Sequence, residues 1–150
     1  MKGQDLITKY PKLFKEALLP PVQSCMGRGI ECWEGWYPLL DSLCGHLQLV
    51  SDRSGYQIVI RQVKSKFARL TIYWGFEVAG ADVPELHRAV ADKLVEAHAD
   101  LSEEICEVCG KPGKSVTGDT GWIYAECPEC TAQRELLGPC WHLDKQKDTQ

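Results

Sequence analysis

The chain has 150 residues, of which 44% are hydrophobic and 25% charged, and its formal net charge is −4. These proportions are typical of a globular protein, and the length suffices for one core with or without a small metal-bound module. The longest apolar runs are too short to span a bilayer, and the N-terminus lacks the apolar stretch of a signal peptide, so we expect a cytoplasmic protein without membrane contact. The acidic balance also argues against a protein that coats nucleic acid.

The N-terminal segment is predicted to form one or two short helices over residues 5–19, with Pro11 at the first position of the second. An irregular stretch follows, and it contains Cys25 and Cys32. Their C-x6-C spacing, without a nearby histidine, is a weak metal-ligand pattern. Buried or incidental thiols are the alternative.

The clearest helical pattern runs from Glu34 to Leu49. Apolar residues recur there at helical spacing and form one continuous face, so this helix should bury most of the core. The residues of that face are Trp36, Leu39, Leu40, Leu43, Cys44 and Leu47.

A β-hairpin is predicted over residues 56–76, where β-branched and aromatic residues are frequent and the hydrophobic period becomes two. Its turn is expected at residues 64–66. Alternation then divides the side chains between two faces. One face, expected to cover the preceding helix, has Ile58, Ile60, Leu70, Ile72 and Trp74, and the other has Val59, Arg61, Val63, Arg69, Thr71 and Tyr73.

The second face of the hairpin and its turn form a basic surface that also contains an aromatic ring. No acidic residue lies between Gln57 and Tyr73. The surface could bind an acidic protein, or single-stranded nucleic acid by stacking and phosphate contact. A solvated outer face whose lysines discourage aggregation is the alternative. The candidate partner-binding residues are Arg61, Lys64, Lys66, Arg69 and Tyr73.

A second long helix is expected to begin with Asp82-Val-Pro-Glu85, with Asp82 as N-cap and Pro84 in the first turn, and to reach about residue 103. It should pack across the hairpin and lead to Cys106. Its predicted apolar face consists of Leu86, Ala89, Val90, Leu94, Ala97 and Leu101.

Two C-x-x-C pairs, Cys106/Cys109 and Cys127/Cys130, are separated by seventeen residues. Doubled pairs at this spacing predict a tetrahedral four-thiolate Zn²⁺ site. Its role would be structural, because four thiolates leave no position for a reacting water. Two disulfides are unlikely in a reducing compartment, and a thioredoxin-type redox site needs one motif at a strand-to-helix junction and not two around a hairpin.

The residues around the cysteines predict a treble-clef arrangement. A knuckle at the first pair is followed by a hairpin with its turn at Thr117–Gly121, and a helix over Thr131–Leu137 stops at Gly138. The predicted fold class is therefore α+β, with helices packed on a β-hairpin or small antiparallel sheet, followed by a treble-clef-like zinc module.

Three segments are assigned on this basis. Residues 1–103 form the α+β domain, residues 104–143 the zinc module and residues 144–150 a polar tail. Cys140 and His142 could replace a ligand or form another site, although the four-cysteine set is complete without them. Residues 101–150 contain nine acidic residues against five basic ones. An acidic zinc module of this kind favours a protein partner over phosphate.

Four short motifs occur in a fixed order along the chain. They are Lys9-Tyr-Pro-Lys-Leu-Phe14, Gly29-Ile-Glu-Cys-Trp-Glu-Gly-Trp36, Gln62-Val-Lys-Ser-Lys-Phe67, and Cys106-Glu-Val-Cys-Gly-Lys-Pro-Gly113 with Gly121-Trp122. In this order they resemble a family of small, mostly uncharacterised proteins of tailed bacteriophages and prophages. The chain departs from the family in ending its site with Cys-x-x-Cys instead of Cys-x-x-His, and in having Ala68 where the family hairpin has glycine.

The resemblance implies a phage accessory protein that acts in the cytoplasm of a bacterial host, and it implies no particular activity. Together with the closed metal site it predicts a non-enzymatic protein that binds a host or phage protein and modulates host defence or takeover. Nucleic-acid binding by the hairpin is the alternative. A treble-clef nuclease would need a histidine base beside the hairpin, but no histidine lies between His98 and His142.

Overall fold

The computed structural model describes residues 2–78 and 83–138, which form an α+β fold. The described part contains four α-helices and two separate antiparallel sheets of two strands each. The helices are α1 (Gly3–Lys9), α2 (Tyr37–Ser54), α3 (Glu85–Ser102) and α4 (Pro128–Leu137). The strands are β1 (Ile58–Lys66), β2 (Arg69–Phe76), β3 (Lys114–Thr117) and β4 (Ile123–Glu126). The predicted fold class is confirmed.

The N-terminal segment has one α-helix, and Pro11 does not begin a second. The chain turns over residues 11–14 and then forms a 3₁₀ turn at Lys15–Leu18. Leu13 and Phe14 are buried in the core. The carbonyl of Leu13 accepts a hydrogen bond from the backbone N–H of Ile60 at 2.8 Å. Residues 11–14 therefore provide the hydrogen-bond acceptor for a backbone N–H of β1, although they do not form a helix.

α2 is longer than its apolar pattern predicts. A 3₁₀ turn at Glu34–Trp36 leads into the helix, which continues to Ser54 and ends at Gly55, whose φ is +78°. A left-handed glycine is a common helix terminator, because it has no Cβ to clash. Ser51 accepts a hydrogen bond from the N–H of Ile58 at 3.0 Å, so the polar last turn serves to connect α2 to β1. The buried residues of α2 include Leu40, Leu43, Cys44 and Leu47, as predicted.

The turn of the first hairpin lies at Phe67 and Ala68, not at residues 64–66. Lys66 pairs with Arg69, and both turn residues have positive φ, +53° and +60°. A two-residue hairpin turn of type I′ requires positive φ at both positions and is usually Asn-Gly. The prediction of the turn was wrong because neither Phe nor Ala is a residue that favours this backbone.

A β-bulge in β1 changes the expected division of side chains between the two faces. Ile60 pairs with Trp74, but the register shifts before Gln62 and Val63 pairs with Ile72. One extra residue reverses the alternation that follows it. Val63 therefore lies fully buried in the core, contrary to the prediction that placed it on the outer face. The same prediction was wrong for Val59, which precedes the bulge and is 1% exposed.

α3 presents a different face to the core from the one predicted. The helix begins at Glu85, and Asp82 lies outside the described residues. The residues that it buries fully are Ala91, His98, Ala99 and Ser102, with Leu94 and Val95 half-buried. This face packs against both α2 and β2. A ring nitrogen of His98 lies 3.4 Å from the Ser42 hydroxyl of α2, and the Ser102 hydroxyl accepts a hydrogen bond from the N–H of Leu70 in β2 at 2.8 Å. In the described helices, no segment is long and apolar enough to cross a membrane.

The C-terminal hairpin and helix follow the predicted order. β3 and β4 pair antiparallel from Lys114 opposite Glu126 to Thr117 opposite Ile123. α4 begins at Pro128, three residues earlier than expected, and Gly138 ends it with a φ of +78°. The division of the chain at residue 104 stays a prediction, and the proposed tail at 144–150 lies outside the described residues.

Candidate metal centre

The first cysteine pair lies in a tight turn after α3. The N–H of Cys106 donates to the carbonyl of Lys111 at 2.8 Å, and the N–H of Gly110 donates to the carbonyl of Cys106 at 2.9 Å. Gly110 has a φ of +76°, a conformation that glycine adopts without steric cost. The turn brings Cys109 back beside Cys106, as a zinc knuckle requires.

The second pair lies at the beginning of α4. Cys127 is the N-cap residue of the helix, and Cys130 is in its first turn. Pro128 suits the first helical position, where its missing N–H is not needed. The N-terminus of a helix carries partial positive charge, which acts to stabilise the thiolate form of both sulfurs. At Cys130 it opposes burial and the neighbouring thiols, which raise the pKa of that thiol.

The four sulfur atoms converge on one point. All of them lie within 4.8 Å of one another, and the Sγ atoms of Cys109 and Cys127 are 3.6 Å apart. Four sulfurs at about 2.3 Å from a tetrahedral metal ion would be separated by about 3.8 Å, whereas a disulfide bond is about 2.05 Å long. The thiols are free, and their arrangement fits a metal ion. The structure thus brings together the four predicted ligands Cys106, Cys109, Cys127 and Cys130.

The backbone around the sulfurs is arranged to stabilise negative charge. Burial raises the pKa of the Cys106 thiol, but backbone N–H groups of Cys109, Cys127 and Val108 donate to its sulfur and oppose that rise. Burial also acts to raise the pKa of Cys127, yet hydrogen bonds from the Cys130 N–H and the neighbouring thiols lower it overall. Hydrogen bonds to a ligand atom orient it and balance the thiolate charge that a metal requires.

Two buried carboxyl groups accompany the cysteines, and sequence reasoning missed both. Glu107, between the first two ligands, is 1% exposed and accepts a hydrogen bond from the hydroxyl of Ser65 at 2.8 Å. Burial raises the pKa of Glu107 to about 7. Because Ser65 belongs to β1, this contact joins the knuckle to the first hairpin. No short-range sequence pattern indicates it.

The second buried carboxyl, that of Glu126, forms an ion pair inside the module. The Nε of Arg134 donates to its two oxygens at 3.1 and 3.0 Å, and the hydroxyl of Thr131 donates to it at 3.1 Å. The guanidinium of Arg134 also lies 4.8 Å from the centre of the Tyr124 ring. The pair connects β4 to α4, the two elements on either side of Cys127.

The knuckle is fixed to the rest of the fold at the beginning of α2. The N–H of Gly35 donates to the carbonyl of Glu107 at 2.9 Å, and the indole Nε1 of Trp36 donates to the carbonyl of Ile105 at 2.8 Å. Trp36 is fully buried in the main core. The backbone on both sides of Cys106 is therefore held by residues that also belong to the core.

The other cysteines lie apart from the cluster. Cys25 is exposed and Cys32 is half-buried, and neither belongs to the group of four. Cys44 is fully buried on α2, and burial raises its pKa to about 12, as expected for a small core residue. Cys140 and His142 lie outside the described residues, so their alternative roles stay predictions.

The candidate partner-binding residues lie in the bulge of β1, along the two strands and beside the turn of the first hairpin. Arg61 is the extra residue of the bulge, and its side chain is exposed. The ammonium groups of Lys64 and Lys66 lie 5.2 Å from the Tyr73 ring centre and 5.3 Å from the Phe67 ring centre. Tyr73 is 47% exposed and Phe67, which the sequence did not single out, 70%.

Arg69 is engaged with α3 and contributes less positive charge than predicted. Its guanidinium forms ion pairs with Glu103 and, at 2.6 Å, with Asp100. On the other edge of the hairpin, the backbone of Glu31 forms an isolated parallel β-bridge beside Lys64, and the Glu31 carboxylate accepts a hydrogen bond from the side-chain amide of Gln62 at 3.1 Å. The tertiary structure therefore adds an acid to a surface whose own sequence contains none.

Comparison with known proteins finds no similar protein. No family model matches the chain, and no match was found among curated proteins or solved structures. The resemblance to phage proteins accordingly stays a prediction, and arguments about function rest on the residues and their geometry.

Proposed function

We propose that the protein is a non-enzymatic binding protein in which Zn²⁺, held by four thiolates, stabilises a C-terminal module and the first hairpin contacts an acidic protein. The observation that carries the proposal is the convergence of the sulfurs of Cys106, Cys109, Cys127 and Cys130 within 4.8 Å. This donor set supports a structural role for the metal, and the remaining surface features suggest where a partner would bind.

Zinc is the metal that this donor set fits best among common cellular ions. Four soft sulfur ligands at tetrahedral spacing favour Zn²⁺ or an iron centre over Mg²⁺ or Ca²⁺, which prefer oxygen. The knuckle and helix N-terminus are typical of structural zinc modules. The ion would supply folding free energy to a small module, since four protein ligands close its coordination sphere.

The binding surface that we propose, the hairpin surface, consists of Arg61, Lys64, Lys66, Phe67 and Tyr73. Two of these residues are exposed aromatics, and aromatic side chains beside cations are typical of binding hot spots. Phe67 is held outward by a backbone with positive φ, which costs free energy and favours a functional explanation for its presence. The surface is basic, so an acidic protein is the complementary partner.

Nucleic-acid binding is the second candidate, and one observation counts against it. The ammonium groups of Lys64 and Lys66 already lie near the faces of Tyr73 and Phe67. A base that stacks on either ring would have to displace them. An acidic side chain can instead approach the two ammonium groups and leave the rings in place, so a protein partner is favoured.

A role as a phage accessory protein in the bacterial cytoplasm, where thiols stay reduced, completes the proposal. The resemblance to phage proteins supports it, together with a metal site suited to structure and not to catalysis. Modulation of host defence or takeover through a host protein would be one such role.

The proposal is tested by capture from a bacterial lysate, with and without nuclease treatment. We expect the tagged protein to retain a protein partner that resists nuclease, and the variant Arg61→Glu/Lys64→Glu to lose it. The control Lys12→Glu/Arg53→Glu makes the same change in charge at two exposed residues outside the hairpin and should bind normally. A signal that nuclease abolishes would favour the second candidate, and binding unaffected by either double variant would contradict the assignment of the surface.

A further inference from the structure

One of the four cysteines of the metal centre is exposed, and the other three are buried. Cys106 is 0% exposed, Cys127 3% and Cys130 6%, whereas Cys109, in the turn of the knuckle, is exposed to solvent. The reactive form of cysteine is the thiolate, and coordination to a metal ion keeps a ligand cysteine deprotonated. A small oxidant can therefore meet a reactive sulfur at Cys109 without unfolding of the module.

A second sulfur lies in position to complete an oxidation that begins at Cys109. The Sγ atoms of Cys109 and Cys127 are 3.6 Å apart. Because a disulfide bond is about 2.05 Å long, the two sulfurs need to approach each other by only about 1.5 Å. Cys127 is itself buried at the beginning of α4. An exposed cysteine beside a second one that can resolve it is the arrangement of redox-sensing sites.

We propose that Cys109 is a site of reversible oxidation by peroxide, which joins it to Cys127 in a disulfide and releases the metal ion. The Cys109 thiolate attacks one oxygen of hydrogen peroxide, the O–O bond breaks, and the products are a sulfenic acid and hydroxide. The Cys127 thiolate then attacks the sulfenic sulfur, which forms the S–S bond and expels a second hydroxide. Protons from solvent convert both hydroxides to water. The two thiolates lose two electrons in total, and the peroxide gains them.

The disulfide removes two of the four ligands and leaves the rest of the module connected. Cys106 and Cys130 alone hold Zn²⁺ far more weakly than the complete set. The buried pair of Glu126 and Arg134 still joins β4 to α4, with the Nε of Arg134 donating at 3.0 Å, so the cysteines stay near one another. Reduction therefore regenerates the site. The inference rests on the metal centre of the proposed function and adds a means of regulating it.

Loss of the metal ion is expected to affect the hairpin surface. Glu107, between the first two ligands, accepts a hydrogen bond from the hydroxyl of Ser65 at 2.8 Å, and Ser65 stands between Lys64 and Lys66 in β1. A knuckle without its metal ion holds Glu107 less firmly, so this contact weakens. Hydrogen exchange over residues 58–66 should become faster after oxidation and slow again after reduction. Unchanged exchange would contradict any effect on the hairpin surface.

The oxidation is tested on the zinc-loaded full chain with Cys25→Ser, which removes an exposed thiol outside the cluster. Hydrogen peroxide is added in small molar excess, a chromophoric chelator records zinc release, and mass spectrometry of peptides locates the disulfide. We expect release of about one zinc ion per chain together with a Cys109–Cys127 disulfide, and recovery of the site after reductant and zinc are added.

Two failures are distinguishable in this experiment. A protein that purifies under reducing conditions without zinc would overturn the metal centre, and this inference with it. Zinc-loaded protein that keeps its metal and its four thiols in peroxide, or that forms a disulfide between other cysteines, would overturn the inference and leave the metal centre intact.

Histidine in place of one ligand provides matched variants, because three cysteines and one histidine also bind Zn²⁺. Cys109→His removes the exposed thiolate, so peroxide should release zinc about tenfold more slowly or less. Cys130→His replaces a buried ligand and should release zinc at the rate of the parent protein, since Cys109 and Cys127 are retained. Zinc content and circular dichroism before oxidation show that each variant is folded. Equal rates in the two variants would overturn the assignment of Cys109.

Discussion

At the scale of single residues, burial raises the pKa of the Cys106 thiol, and the backbone around its sulfur opposes that rise. The sulfur accepts backbone hydrogen bonds from Val108, Cys109 and Cys127, groups that the knuckle and the second pair place around it. Such donors offset the cost of burying a thiolate, and a metal ion then removes the remaining cost. The site therefore depends on backbone geometry as well as on four side chains.

Replacement of one ligand should remove the metal. We expect Cys127→Ser to lower bound zinc from about one ion per chain to nearly none, because a serine hydroxyl is a poor substitute for a thiolate. Elemental analysis of protein purified under reducing conditions measures this. Cys25→Ser is the control, since Cys25 is exposed and outside the cluster, and it should retain zinc. Equal zinc in both variants would contradict the assignment of the ligands.

The buried pair of Glu126 and Arg134 should be sensitive to removal of either partner. The side chains are 0% and 7% exposed, so Arg134→Met leaves a carboxylate without its counter-ion in the interior. We expect a loss of about 3 kcal/mol or more in the free energy of unfolding, measured by chemical denaturation. Lys111→Met removes the exposed pair with Glu129, which water and salt screen, and should leave the free energy of unfolding almost unchanged. Equal effects in the two variants would show that the buried pair is not a structural element of the module.

At the scale of elements, the first hairpin combines a bulge with an unfavourable turn. Arg61 in the bulge directs a cation away from the core, and the turn holds Phe67 outward at a φ of +53°. Left-handed backbone costs a residue with a Cβ about 1 kcal/mol or more. Both features weaken the sheet locally. The bulge exposes the side chain of Arg61 and the turn exposes that of Phe67, and both residues belong to the hairpin surface.

A better turn residue should therefore stabilise the protein. We expect Phe67→Asn to raise the free energy of unfolding by about 1 kcal/mol, because Asn adopts positive φ readily and the phenyl ring is mostly exposed. Thermal or chemical denaturation measures the change. Phe67→Ala removes the same ring but keeps the backbone penalty, so it should show little gain. If the two variants are equally stable, the turn is not strained.

At the scale of the whole molecule, the metal centre and the main core meet at Gly35. A methyl group at this position would lie 2.4 Å from the carbonyl oxygen of Cys106 and 2.6 Å from that of Glu107. Trp36, the next residue, is buried in the core and hydrogen-bonded to Ile105. Formation of the knuckle and packing of α2 are therefore expected to be coupled, and removal of the metal should destabilise the core as well as the module.

Substitution of Gly35 tests this coupling. Gly35→Ala should lower both the melting temperature and the affinity for zinc, because backbone atoms of the knuckle cannot move aside without breaking the hydrogen bond to Glu107. Gly45→Ala makes the same change on α2, where the nearest atom is the hydroxyl of Tyr10 at 3.5 Å. It should be neutral or stabilise the helix by up to about 1 kcal/mol. A Gly35→Ala protein with normal zinc affinity would show that the two regions fold independently.

Elements with strong local patterns were predicted well, and those set by distant contacts were not. The periodicity of α2 gave its buried face, and the treble-clef order followed from cysteine spacing and turn residues. The prediction of the buried face of α3 was wrong, because that face is selected by the packing of α3 on α2, through His98, and on β2, through Ser102. Val63 was misplaced because a bulge has no reliable sequence signal.

The sequence by itself determined the class of fold and the four cysteines of the candidate metal site, because spacing along the chain dictates helical periodicity and the reach of C-x-x-C pairs. The tertiary structure decided which face of α3 is left exposed, how far Arg69 is neutralised by Asp100 and Glu103, and which acids are buried beside the cysteines. These properties arise from contacts between residues far apart in sequence. Their free energies depend on the burial and distances that only the folded chain creates.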